Sequence, residues 1–149
     1  MSEAQGPSRE QLRAHRQVFW DAWQKAEADL PLNALEVRIA YVIGMHPEYH
    51  HFFNDMESFL DRDFPADGGI NPYLHMSLHL ALEEQVVTHQ PPDVGRALLW
   101  MISERKMDRH DALHILMENL AETMHSAQSR GQEPDAQAYV EKVRRLMQP

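Results

Sequence analysis

Six residues that commonly cap helices, Ser8, Asn33, Asn71, Asp93, Asp108 and Asp135, each stand just before a stretch whose apolar positions recur every three or four residues. That recurrence marks one face of an α-helix, and no comparable strand or hairpin pattern competes with it. Ser8 with Gln11 and Asn33 with Glu36 have the spacing of a reciprocal capping pair. Asn71-Pro72 joins a cap to the residue whose φ is already set for a first turn. The stop signals agree: Leu30-Pro31-Leu32, Pro47, Gln90-Pro91-Pro92 and Gly131 each end a periodic stretch. Residues 35–43 are apolar on most sides, which predicts a central helix running to Met45. Tyr49, Phe52, Phe53, Met56 and Phe59 predict a further helical piece after Pro47, and residues 61–71 read as a loop. Asp93 is expected to cap a helix to about Lys106, and Asp108 a long one to about Arg130. The expectation is an all-α protein, a compact helical bundle of five to seven helices. Residues 1–8 are expected to be a disordered N-terminal tail and 9–149 a single helical domain, a size that supports one core.

The chain has no cysteine, so disulfides, thiolate metal sites and a cysteine nucleophile are excluded, and any metal must take nitrogen and oxygen ligands. A net charge of -9 repels phosphate backbones and anionic lipid, which argues against nucleic-acid and membrane-surface partners. It suits a basic protein partner instead. The first residues lack the apolar stretch of a secretory signal, and no window has the length of a membrane span, so the expected location is cytoplasmic. Phosphate loops, dinucleotide-binding glycines, the nucleophile elbow and the zinc-protease motif are all missing. Glu83-Glu84 reads as a solvated helix flank rather than an acid/base pair.

Histidine is the residue that carries chemistry here. Three pairs stand four apart, His46/His50, His75/His79 and His110/His114, where ten scattered histidines would give roughly 0.65 such pairs. Four residues is about one helical turn, so both rings of a pair leave one face. His110, His114, Glu118 and Glu122 extend one pair into a ladder beside the apolar positions Leu113, Leu116, Met117, Leu120 and Met124. His75 and His79 border Leu74, Leu78 and Leu82 in the same way. A helix rises about 1.5 Å per residue, so only neighbouring rungs of a ladder can share an ion. The candidate metal ligands are therefore His46, His50, His75, His79, His110, His114 and Glu118. His15, His51 and His89 read as surface residues. The bland alternative for each single histidine is a boundary residue held by a hydrogen bond.

His46-Pro47-Glu48-Tyr49-His50, the segment from Asn71 to Val86, and the His110–Glu122 ladder resemble an uncharacterised bacterial family, the domain of unknown function 1841 family. The similarity covers residues 10–147. The resemblance implies a bacterial origin and one domain and brings no established activity. A looser, geometric analogy links the His-x3-His and His-x3-Glu helices to hemerythrin-type di-iron bundles. Their order along this chain is reversed, which argues against common descent. Helical thiol transferases that hold one divalent ion with three histidines offer a second analogy.

These readings lead to a histidine/carboxylate metal-binding protein with one or two divalent ions per chain, iron, manganese or zinc. A di-metal centre would serve oxygen-related chemistry or sensing. A mononuclear zinc-dependent enzyme is one alternative. A metal-free acidic adaptor is the other.

Overall fold

The structure is a computed structural model that describes residues 8–64 and 71–148. Among these residues it is all-helical. It has seven α-helices, α1 (Arg9–Glu27), α2 (Ala34–Gly44), α3 (Met56–Asp61), α4 (Pro72–Thr88), α5 (Pro92–Glu104), α6 (Arg109–Ser129) and α7 (Ala136–Arg145). A 3-10 helix, Pro47–Asn54, lies between α2 and α3. The count is eight rather than five to seven. The segment after His46 breaks twice: Pro47 starts the 3-10 helix, and Asp55, extended at φ -138°, caps α3 through Ser58 N–H. No described helix is long and apolar enough to cross a membrane. The expected N-terminal tail lies outside the described residues, save Ser8, which caps α1.

The helix starts follow their local chemistry. Ser8 and Gln11 exchange side-chain and backbone hydrogen bonds at 3.1 and 2.8 Å, and Asn33 and Glu36 do so at 2.8 and 3.0 Å. The Asn71 side chain accepts from Tyr73 and Leu74 N–H. Asp93 departs from its expected role. Pro91 occupies the cap position of α5, and Asp93, buried in the first turn, forms an ion pair with Arg144 at 2.7 Å.

Backbone contacts divide the chain into two units, which meet within α4 between Leu80 and Ala81. In the first, α1 packs on α2 and α3. Its core joins Phe19, Ala22, Ile39, Val42, Ile43, Phe53, Phe59, Leu60, Tyr73 and Met76. Buried Arg16 donates to the carbonyls of Leu60 and Arg62 at 3.1 and 2.8 Å, satisfying the end of α3, and lies 4.3 Å from the Tyr73 ring centroid. Helix α2 is less enclosed than its composition implies. Ile39, Val42 and Ile43 are buried, whereas Leu35, Val37 and Tyr41 are exposed.

In the second unit α5, α6 and α7 pack against one another. Val94, Ala97, Leu98, Met101, Leu113, Leu116 and Val143 are buried. Tyr139 donates to Gln85 Oε1 at 2.8 Å, and burial pushes its phenol up to about 12.

Candidate metal centre

Helix α2 ends at Gly44, and its last carbonyls lack the full set of i+4 partners, although Ile43 O already accepts from His46 N–H at 3.0 Å. Two histidines supply partners. His46 Nδ1 lies 2.7 Å from the Val42 carbonyl, and His50 Nε2 lies 2.8 Å from that of Ile43. A carbonyl oxygen only accepts, so each of these nitrogens carries the proton and donates. Pro47 makes this arrangement possible. The residue before a proline is driven out of the α region, and His46 sits at φ -124°, ψ 64°. The pair four apart in sequence is therefore not a pair on one helix. His50 turns to the Trp23 ring, at 4.7 Å between centroids, while His46 is fully buried and turns to α4.

On α4 the four-residue spacing does what a helix requires. His75 and His79 stand one turn apart with ring centroids 4.9 Å apart. His79 is fully buried and His75 half-buried. The His46 ring meets both, at 4.8 Å from His75 and 4.6 Å from His79. The Nε2 atoms of His46 and His75 are 3.1 Å apart. One nitrogen from each of the three rings lies within 4.8 Å of the others.

With Nδ1 of His46 protonated, its Nε2 presents a lone pair to this group. Two imidazole nitrogens bound to one ion at about 2.0–2.1 Å, at angles between octahedral and tetrahedral, stand about 2.9–3.4 Å apart. The 3.1 Å separation meets that test for His46 and His75. The His79 ring stands 4.6 and 4.9 Å, centroid to centroid, from those of His46 and His75. The Nδ1–carbonyl bond of His46 is the arrangement that orients metal-bound imidazoles elsewhere. Tyr49, from the 3-10 helix, stacks on His46 at 5.5 Å and 9° and sets its edge to His75 at 5.7 Å. Partial burial raises the Tyr49 phenol above its ordinary value.

The remaining candidates stand on α6. His110 and His114, both half-buried, have ring centroids 4.3 Å apart. Glu118 is exposed. Glu122 pairs with Lys142 at 3.1 Å, and Met124, expected on the apolar face, is 45% exposed. His51 and His89 are exposed, as expected.

Sequence reasoning missed Glu83. It is buried and held by both arms of Arg109, at 2.7 and 2.9 Å, while its neighbour Glu84 is exposed. The α4–α6 ion pair had no local signal, because its partners are 26 residues apart.

No curated protein and no solved structure matches the chain. The model of the family described as Domain of unknown function (DUF1841) matches residues 9–145, nearly the whole chain. The chain belongs to the DUF1841 family.

Proposed function

We propose that the protein binds one divalent first-row metal ion through His46, His75 and His79. The observation that carries this reading is the approach of His46 Nε2 to His75 Nε2 at 3.1 Å, with the opposite nitrogen of His46 donating to a backbone carbonyl. An all-imidazole set suits zinc or iron better than manganese, which prefers oxygen. Three protein ligands leave positions for water, the arrangement in which zinc brings bound water to a pKa of about 7. His114, with His110 and Glu118, stays a candidate donor on the sequence pattern alone. A second ion would have to draw on those α6 residues. The expected setting is the bacterial cytoplasm.

The test is metal analysis of untagged protein together with zinc and iron titration of chelator-treated protein. About one ion per chain is expected. His46→Gln and His79→Gln should each weaken binding by at least tenfold while helix content stays the same. His114→Ala tests the additional donor by the same readout, and His51→Ala should bind normally. Protein that is metal-free as purified and takes up neither zinc nor iron overturns the proposal. The 3.1 Å contact is then an N–H···N hydrogen bond in a metal-free histidine core, and the acidic-adaptor reading takes over.

A further inference from the structure

A separate cleft of about 470 Å³ lies wholly within the second unit. Val86, Pro92, Leu98, Leu99 and Ile102 supply apolar walls, and Leu99 is 68% exposed. Gly95 leaves room there, since a Cβ added to it would meet nothing within 4 Å. In a chain with 23 acidic residues, no Asp or Glu lines the cleft. Its charged lining is Arg96 and Arg109, joined by His89. Arg109 already faces Glu83. Exposed Arg96 forms no ion pair among the described residues. Asp93, the acid in the first turn of α5, is paired with Arg144 and does not line the cleft.

We propose that this cleft binds a small amphipathic carboxylate, with its alkyl chain against Leu98, Leu99 and Ile102 and its headgroup on Arg96. The volume lies in the range of small-molecule sites, and a guanidinium at the mouth of an apolar cleft matches a carboxylate by charge and fork geometry. The site is independent of the histidine centre.

The probes are decanoate and 1-decanol, each titrated below its micelle or solubility limit into the full chain. Methyl NMR shifts of Val86, Leu98, Leu99 and Ile102 provide the readout. Decanoate should bind saturably and about tenfold more tightly than the alcohol. Arg96→Gln should remove that difference. Gly95→Leu should block both ligands by filling the cleft, and it favours the helix by propensity, so lost binding is not lost folding. Leu99→Gln, at a position already exposed, should weaken both ligands. Equal affinity for the two probes, no saturable shift at these methyls, or unchanged binding in Gly95→Leu overturns the proposal.

Discussion

At the scale of single residues, Glu83 departs from the sequence expectation, while His15, exposed as expected, still titrates below its usual range. Glu83 and Glu84 look alike in the sequence, but successive helical residues are turned by about 100°, and only Glu83 falls on the covered side. Its carboxylate is acceptable there because Arg109 binds both oxygens. Arg109→Ala leaves that buried charge without its partner and should cost about 2 kcal/mol, read from denaturant unfolding. His15 gives a pH signature. Although the residue as a whole is exposed, desolvation of its ring, which packs against Phe19, and then the nearby Arg16 charge hold its pKa below the ordinary value of 6.5. The unfolded chain therefore takes up this proton more readily than the folded one. Stability from His15 is full above pH 6.5 and is lost as pH falls from there through its folded-state pKa. His15→Gln removes that slope. The unfolding midpoints of the two proteins, compared across this window, should diverge on the alkaline side and converge in acid.

At the scale of elements, helix starts were more legible than helix stops. Caps rely on a few polar residue types at fixed offsets, and five of the six expected caps accept hydrogen bonds in their helix's first turn. Many helix ends use a left-handed residue, which the sequence advertises only when it is glycine. Gly131, at φ 61°, was readable in that way. Asp29 and His89, at φ 55° and 58°, end α1 and α4 with similar closing bonds, Leu30 N–H to Lys25 O and Gln90 N–H to Gln85 O, but have no glycine to announce them. Gly131→Ala should lower stability by about 1 kcal/mol, and Asp29→Gly should raise it by a smaller amount. Thermal melts of the two variants against the parent check both signs. A loss in Asp29→Gly would mean that its side chain contributes more than its backbone strain costs.

At the scale of the whole molecule, the candidate site divides into a readable part and an unreadable one. Spacing alone predicts that His75 and His79 share a helix face, because one turn is a local property of the backbone. The same rule put His46 and His50 together, and Pro47 parted them by ending the helix before either ring. Residue types and offsets were likewise enough for the all-helical class, most helix starts and the absence of thiolate chemistry. Packing determined the rest: that His46 comes within 3.1 Å of a ring 29 residues later, that Leu35, Val37 and Tyr41 of an apolar helix stay exposed, and that Glu83 is buried with Arg109. The physical reason lies in range. Capping and periodicity act over three or four residues and are written where they act, whereas the covered face of a helix depends on segments far along the chain, which no local pattern records.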